Sequence, residues 1–445
     1  MSQSQRSNRS FKMVRASLVL AGVLCPLPLL AAEPEAPLPP PPAAVAAPVP
    51  APAAAPAPAA PGLVQANLTV PATPAAPPVV VQTITVAPAP EPTVAAKASG
   101  SEDHARPMDV NVWGRIGNNV VKTKGADSST TADATAELHL NGAIHKNVGW
   151  TANFIATYGP GPTGAVEGSA KILDLIGRFE FADAFNIWFG RMLVPSDRSN
   201  FSGAWFMSPW NYPGGFGPDA GGFAGPRQGA FGRNDGATAW GQFGGGVVKY
   251  YLGAFDLTHQ GASPLFTSRL NLSLINPEPG YYHSSTYYGS KDVLALGVSA
   301  QYQKKGSVGK IPMVGTMVVG AAPTDAYSEF SADLLYEKNT GAGTLDLEGA
   351  FYLYSGQYET FKNSFYGLAS YLIPGEIGIG RLQPLVRYQG ATLRDDSAPG
   401  YKALDAQIGY AIMEYSARLA LGYTRYDLGG DKTTNAFVLG IQLQH

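Results

Sequence analysis

The chain has 445 residues, and only 14% of them are charged, against about 25% in a typical soluble globular protein. Glycine (52 residues) and proline (37 residues) are abundant, hydrophobic residues reach 45%, and the formal net charge is −2. This composition argues against a long soluble helical protein. The balance of 31 basic against 33 acidic residues argues against a nucleic-acid-binding surface.

Residues 1–32 have the pattern of an export signal peptide. Four basic residues precede the apolar run ASLVLAGVLCPLPLLAA, and we expect cleavage after Ala32. The alternative is an uncleaved membrane anchor, but the run is short, is interrupted by Pro26 and Pro28, and ends in small residues. Cys25 is the only cysteine of the chain. The mature protein therefore has no thiol for disulfides, metal binding or catalysis.

Residues 33–107 are predicted to form a disordered linker in the periplasm. The segment consists mainly of alanine and proline, and no charged residue occurs between Glu35 and Glu91. Such a sequence cannot build a packed core, and it extends as polyproline II helix at about 3.1 Å per residue. Two interpretations remain open, a passive spacer and an arm that contacts the periplasmic cell wall.

From Met108 onward the sequence predicts an all-β protein, specifically a transmembrane antiparallel β-barrel. No apolar run reaches the ~20 residues of a transmembrane helix, whereas residues 134–144, 345–353 and 415–424 alternate between apolar and polar side chains. Such segments of about ten residues are typical of barrels whose apolar face contacts lipid and whose polar face lines a water-filled lumen. A soluble all-β protein also has alternating strands, but the export signal and the aromatic strand ends favour the membrane barrel.

The number and parity of the strands test this interpretation, because a bacterial barrel has an even number of strands and both termini in the periplasm. Parity assigns mostly short turns to the periplasmic side. Two features are unusual: residues 277–292 are long for a periplasmic turn, and Pro384 lies within a strand, where its missing N–H is normally tolerated only at an edge or bulge. Fourteen or eighteen strands are the alternatives. The sixteen predicted strands are residues 108–118, 133–146, 148–158, 168–181, 185–193, 236–243, 247–257, 268–276, 293–303, 326–338, 344–355, 363–373, 379–390, 401–413, 415–426 and 434–445.

Residues 195–235, between the fifth and sixth strands, are predicted to form a loop that narrows the pore. This 41-residue segment contains nine glycines and eight aromatic residues, and loops of this length usually have a function. A sixteen-stranded barrel encloses an aqueous channel that a folded-in loop can constrict. The alternative is an exposed surface loop. The predicted constriction residues are the charged side chains of the loop, Asp197, Arg198, Asp219, Arg227, Arg233 and Asp235.

Several segments resemble the phosphate-selective porin O/P-like family of bacterial outer-membrane porins. They are WFGRMLVPSDRSNFSGAWFMSPWNYPG, GRNDGATAWGQF, KYYLGAFD, NPEPGYYHSSTYYGSKDVLALGVSAQYQ and ADLLYEK, and the similarity covers residues 108–445. The resemblance implies a sixteen-stranded, trimeric outer-membrane porin with a constricting loop after the fifth strand. The chain departs from the pattern in its last residue, His445, where such barrels commonly end in Phe, and in its Ala/Pro-rich segment.

The charges predicted to face the lumen do not indicate strict phosphate selectivity. Residues 108–445 contain 25 basic and 28 acidic residues, whereas an anion-selective pore is expected to have a strongly basic lining. The mixture predicts a channel for small polar solutes and ions of either sign, with anions such as phosphate among the candidates. The lumen-wall residues that the sequence predicts are Arg115, Arg178, Arg381, Arg387, Arg418, Asp333, Asp346 and Glu348.

The sequence contains no pattern that points to an enzyme. The six histidines lack metal-binding spacing, and there is no GxSxG motif or phosphate-binding glycine loop. We therefore predict no catalytic residues, no metal and no cofactor. The expected partners are outer-membrane lipid, small solutes or inorganic ions and two further copies of the chain. The main alternative function is an envelope-tethering structural protein, in which the Ala/Pro-rich arm contacts the cell wall and the barrel serves as the anchor.

Overall fold

The computed structural model describes residues 108–160, 166–214, 223, 230–257, 263–305, 311–313, 316–318, 326–356, 361–394, 400–427 and 433–445. The predicted signal peptide (residues 1–32) and linker (residues 33–107) lie outside the described residues. Among the residues that are described, no helix is long and apolar enough to cross a lipid bilayer.

Sixteen antiparallel strands form a closed barrel, each paired with its neighbours in chain order. Closure is made by β1 and β18, where Trp113 lies opposite Gln444. A separate hairpin of β10 and β11 interrupts the chain between β9 and β12. The strands are β1 (Asp109–Thr123), β2 (Ser128–His145), β3 (Val148–Pro160), β4 (Val166–Ala182), β5 (Phe185–Leu193), β6 (Arg233–Phe243), β7 (Val248–Phe255), β8 (Leu265–Ile275), β9 (Val293–Gln303), β10 (Ile311–Met313), β11 (Thr316–Val318), β12 (Tyr327–Asn339), β13 (Thr344–Ser355), β14 (Phe361–Leu372), β15 (Arg381–Leu393), β16 (Tyr401–Met413), β17 (Ala417–Asp427) and β18 (Thr433–Gln444).

The barrel wall exposes apolar side chains on its outer face and buries polar side chains on its inner face, the reverse of a soluble protein. Along β13, Phe351 and Leu353 are 44% and 46% exposed, whereas Asp346 and Glu348 are 1% and 5% exposed. Successive side chains of a strand point to opposite faces, so the apolar residues form the outer surface and the polar residues face the interior. This arrangement is the one expected of a barrel whose outer surface contacts lipid.

The predicted strands correspond one to one with the sixteen strands of the barrel, which confirms the fold class. The main differences are that β1 extends to Thr123, that β6 begins at Arg233 rather than at residue 236, and that the hairpin of β10 and β11 was not predicted. Pro384 is accommodated because the pairing of β14 with β15 ends at the pair of Ser370 and Leu385, so the proline has no partner on β14. Pro384 remains opposite Ile408 of β16.

The connection between β8 and β9, residues 276–292, is long for a turn because most of it is buried inside the barrel. Its residues Glu278, Tyr281, His283 and Ser285 are at most 3% exposed. The side chain of Tyr281 belongs to an aromatic cluster with Trp188 of β5 and other rings of the interior wall. The segment therefore folds into the barrel instead of making a tight turn, and we call residues 276–292 the β8–β9 segment.

Candidate functional site

The described part of the loop between β5 and β6, residues 194–214, 223 and 230–232, enters the barrel interior. Its first turn forms helix α1 (Arg198–Ser202), whose N-cap Asp197 accepts hydrogen bonds from the amides of Ser199 (3.1 Å) and Asn200 (3.3 Å). The hydroxyl of Tyr352 on β13 donates to the same carboxylate (2.6 Å). Burial raises the pKa of Asp197, and the hydrogen bonds from Ser199 and Tyr352 partly oppose this rise.

Arginines of the barrel wall hold the backbone of this β5–β6 loop. Arg115 donates to the carbonyls of Ala204 (3.1 Å) and Trp210 (2.8 Å), and its guanidinium lies 3.9 Å from the centre of the Trp210 ring. Arginine presents several donors in a fixed fork and stacks on aromatic rings, so it suits this role. Three further wall arginines donate in the same way: Arg269 to Ser196 (2.7 Å), Arg387 to Asn211 (2.8 Å) and Arg418 to Met207 (2.6 Å).

Most of the predicted lumen-wall charges face the interior but bind protein groups. Arg115, Arg387 and Arg418 contact the β5–β6 loop as described, and Asp333 forms an ion pair with Arg269 (2.5 Å and 2.9 Å) that the sequence did not predict. A strand pattern places both side chains on the inner face but cannot show that they meet. Arg381 lies on the interior face of β15 and is partly exposed.

The β8–β9 segment meets the β5–β6 loop inside the barrel. Arg198 makes two hydrogen bonds to the Glu278 carboxylate (2.8 Å and 2.6 Å) and a third to the carbonyl of Ser284 (2.8 Å). The amide of Ser285 donates to the carbonyl of Phe206 (2.9 Å). Burial alone would raise the pKa of Glu278, but the Arg198 guanidinium more than offsets this and holds it well below its usual range. The two segments thus form one connected partition.

Carboxylates of the wall anchor both segments. Glu337 on β12 accepts hydrogen bonds from the Thr286 hydroxyl (2.8 Å) and the Tyr287 amide (2.6 Å), and Glu348 on β13 accepts one from the Ser285 hydroxyl. Asp346 on β13 accepts hydrogen bonds from the hydroxyls of Ser208 in the loop (3.3 Å) and Ser370 on β14 (3.3 Å). The predicted wall residues Asp346 and Glu348 therefore position the partition rather than facing open solvent.

One hydroxyl joins the partition to the turn between β16 and β17. Tyr415 donates to the carbonyl of Phe206 (2.8 Å) and accepts a hydrogen bond from the amide of Thr286 (3.0 Å). Phe206 belongs to the β5–β6 loop and Thr286 to the β8–β9 segment. Three segments that are 80 or more residues apart along the chain therefore converge at this point, which no local sequence signal indicates.

The wall formed by β2, β3 and β4 is organised differently. Here side chains hydrogen-bond to one another: Glu137 to His139 (2.8 Å) and Asn153 to Asp174 (2.9 Å). Arg233, at the start of β6, also pairs with Asp174 (3.1 Å). Residues 194–214 of the β5–β6 loop, as far as the structure describes them, make no hydrogen bond to β2, β3 or β4.

Arg178 on β4 is a wall arginine with weak protein contacts. Its nearest carboxylate is Glu180, at 3.8 Å, and its hydrogen bonds to the carbonyls of Gly142 and Trp150 are long (3.4 Å each). The guanidinium lies against Gly149, where an added Cβ would be 2.8 Å from Nη2. A glycine at this position therefore makes room for the Arg178 side chain.

The predicted constriction residues fall into three groups by their location. Asp197 and Arg198 are fully buried in the contacts above, so they hold the loop and have no free surface for a solute. Arg233 and Asp235 belong to β6 rather than to the loop, and Asp235 lies on the outward face, where it pairs with Arg191 (3.4 Å). The sequence pattern predicted that this strand begins at residue 236, three residues too late, so it assigned Arg233 and Asp235 to the loop. Asp219 and Arg227 lie outside the described residues.

The chemistry of this interior is that of a restricted polar passage. Within the described ranges, no group of three or more His, Cys, Asp or Glu side chains is placed to hold a metal ion. Most of the charged groups described above pair with each other or bind backbone groups and hydroxyls. The two inner segments narrow the lumen. The wall formed by β2, β3 and β4 is lined by side chains of both charges.

Comparisons with known proteins agree on the fold. No family model matches the chain, and no curated protein matches it. Among solved structures, Pseudomonas putida OprB superposes with a TM-score of 0.55 at 10% identity, covering 76% of this chain and 94% of that one. Salmonella typhi OmpF, in a complex with daunomycin, gives a TM-score of 0.50 at 13% identity, covering 76% and 97%. The chain thus has the fold of bacterial outer-membrane porins.

Proposed function

We propose that the protein is an outer-membrane porin, a channel for passive diffusion of small polar solutes and ions. The observation that carries the proposal is the closed sixteen-stranded barrel with apolar residues outside, polar residues inside, and two segments folded into its interior. Lipid tails cannot satisfy polar groups, so such a barrel suits a membrane, and a polar lumen suits aqueous solutes. The resemblance to phosphate-selective porin O/P-like sequences supports the same function.

The solute path is proposed to follow the wall of β2, β3 and β4. Much of the remaining interior is occupied by the β5–β6 loop and the β8–β9 segment, which use wall arginines and carboxylates for their attachment. Of the β3 and β4 wall, Ile155 and Leu173 are covered by Phe231 at the end of the loop. Along the proposed path, Arg178, Asp174 and Glu137 lie on the same inner face of the wall, each at most 6% exposed. Both signs of charge line it, so we propose passage of small solutes of either sign rather than strict selection of phosphate.

A homotrimer is the proposed assembly. On the outward face, Gly114, Ala136, Ala156 and Ala170 lie opposite one another in register, so they form a row of small side chains across β1, β2, β3 and β4. Flat surfaces of small residues allow close approach of two backbones in a membrane. A mass measurement in mild detergent that shows only monomer would refute this assembly.

The test of the channel is reconstitution of the purified protein into a planar lipid bilayer. We expect stepwise conductance increments, and a reversal potential in a salt gradient that is small because both charges line the path. An absence of conductance in correctly folded protein would refute the proposal. The tethering alternative is separated by deleting residues 33–107: a loss of envelope integrity with unchanged solute uptake would favour the tether and would place the proposed periplasmic arm at the cell wall.

A further inference from the structure

A group of basic side chains lies on the outward face of the barrel at one end of neighbouring strands. Lys122 on β1 and Lys402 on β16 are exposed, as is Arg425 on β17. The register places Lys122 opposite Asn435, and Asn435 opposite Arg425. Lys402 lies two residues further along, opposite Asp427 of β17. Since neighbouring strands are about 4.8 Å apart, Lys122 and Arg425 are separated by about 10 Å. We call Lys122, Lys402 and Arg425 the basic cluster.

The basic cluster faces away from the lumen. Each member continues the outward face of its strand: Val120 precedes Lys122, Leu421 precedes Arg425, and Leu404 follows Lys402, all of them large exposed apolar residues. The cluster therefore stands directly above the apolar belt. Next to it, the Tyr423 hydroxyl donates to Asn435 (2.8 Å), and the Tyr423 ring lies 4.9 Å from that of Phe437. Aromatic residues of this kind mark the boundary between lipid tails and headgroups.

Among the described residues these positive charges have no direct partner, and one carboxylate, that of Asp427, lies on the strand position opposite Lys402. Within the described part of the chain, the three side chains form no ion pair or hydrogen bond. The contrast is the outward-facing Arg191 of β5, which pairs with Asp235. Only 14% of the residues of the chain are charged. Three exposed basic side chains near the headgroup level therefore suggest that they bind an anionic group of a lipid.

Parity assigns this end of the strands to the outer side of the membrane. β1 and β17 run toward it, and the start of β1 and the end of β18 lie at the opposite end, together with the short turns at 146–147 and 414–416. We infer that the basic cluster binds the phosphate groups of a phosphorylated glycolipid in the outer leaflet, with the acyl chains of the lipid against the apolar belt below. This inference rests on the proposed outer-membrane placement and not on conduction.

The test is binding of bis-phosphorylated lipid A to the purified protein, measured by native mass spectrometry in detergent. Because each basic group near an anionic surface contributes about 1 kcal/mol, the triple variant K122Q/K402Q/R425Q is expected to bind on the order of a hundredfold more weakly. The matched control K304Q/K305Q/K362Q removes the same charge from exposed lysines elsewhere, and it should bind as the wild type does. Dephosphorylated lipid A should bind the wild type as weakly as bis-phosphorylated lipid A binds the triple variant.

Three outcomes would overturn the inference. The two triple variants could bind lipid A equally well, which would remove the role of the cluster. Millimolar inorganic phosphate alone could abolish lipid binding, which would make the cluster a site for free phosphate. The cluster variant could instead convert an oligomer to a monomer with lipid binding unchanged, which would make the cluster a protein interface. Wild-type protein that conducts without binding lipid A contradicts only this inference, and protein that binds but does not conduct contradicts only the proposed channel.

Discussion

Arg198 and Glu278 form a two-pronged ion pair, with distances of 2.8 Å and 2.6 Å, inside the barrel. Arg198 enters the interior on the β5–β6 loop, and Glu278 enters it on the β8–β9 segment, which by parity comes from the other end. Both side chains are at most 1% exposed. The pair therefore joins the two halves of the partition that narrows the lumen.

Replacing one partner of this pair is expected to be strongly destabilising. In R198M, the Glu278 carboxylate remains buried without its counter-ion, which typically costs about 3–5 kcal/mol. The double variant R198M/E278M should lose less stability, because the Glu278 charge is removed together with its counter-ion. We expect the single variant to melt at lower temperature in detergent and to conduct more per channel, because both segments are loosened. The partly exposed outward pair is the control: R191Q/D235N should change stability by about 1 kcal/mol or less. Equal stability of R198M and the wild type would contradict the partition.

The ion pair should persist during mild acidification. The pKa of Glu278 lies well below its usual range, so the stability that the pair contributes is present above the unfolded pKa and is lost only as the pH falls through the lowered folded pKa. Burial, followed by the charge of Lys249, also lowers the pKa of His283 well below its usual range, so His283 stays neutral near pH 6. The difference in melting temperature between wild type and R198M/E278M should therefore persist when the pH falls from about 6 to about 5, where the Glu278 carboxylate keeps its charge. A steady decline of that difference within this window would be the contrary result.

The contact between the two segments can be trapped by a disulfide. The amide of Ser285 is 2.9 Å from the carbonyl of Phe206, which brings the two backbones as close as neighbouring strands and within the range of Cα separations that a disulfide spans. The only natural cysteine, Cys25, lies in the predicted signal peptide. We expect F206C/S285C to form an internal disulfide on oxidation, visible as a shift in gel mobility that reductant reverses. The pair N118C/S285C, with one cysteine on the outward face of β1, should not crosslink within a monomer.

Substitution of two wall arginines should separate selectivity from support of the loop. Arg178 has only long contacts with the protein, so R178Q is expected to lower the permeability of anions relative to cations by a few fold, with little change in stability. Arg387 binds both Asp405 (2.7 Å) and the carbonyl of Asn211 (2.8 Å), so R387Q should destabilise the protein and increase conductance. Reversal potentials and melting temperatures of both variants check this. If R178Q left the reversal potential unchanged, the proposed path along β2 to β4 would be wrong.

G149A tests how Arg178 is positioned. The added Cβ would lie 2.8 Å from the guanidinium, and because the end of a long side chain can move, we expect Arg178 to shift while the barrel remains folded. The reversal potential should then change in G149A but not in G149A/R178Q relative to R178Q alone. A change in both backgrounds would show that the glycine acts on the backbone instead.

The sequence determined the barrel because the information for it is local. Alternation with period two along segments such as 345–353 specifies which side chains face lipid, and the turn lengths between segments specify the parity of the strands. Each of these signals needs only ten to twenty neighbouring residues, so the fold class, the sixteen strands and the inward orientation of Arg115, Arg387 and Arg418 could all be predicted.

The contents of the lumen were decided by tertiary structure alone. Residues 277–292 were recognised only as unusually long, and nothing local shows that Glu278 would meet Arg198 or that Tyr415 would hold both inner segments. For the same reason the charged residues of the loop were expected to face solute, whereas Asp197 and Arg198 are fully buried. A buried charge needs a partner, and the partners here are 80 residues away in the case of Arg198 and 155 in the case of Asp197. Such pairings are fixed by closure of the barrel, which brings distant strands and loops around a common interior.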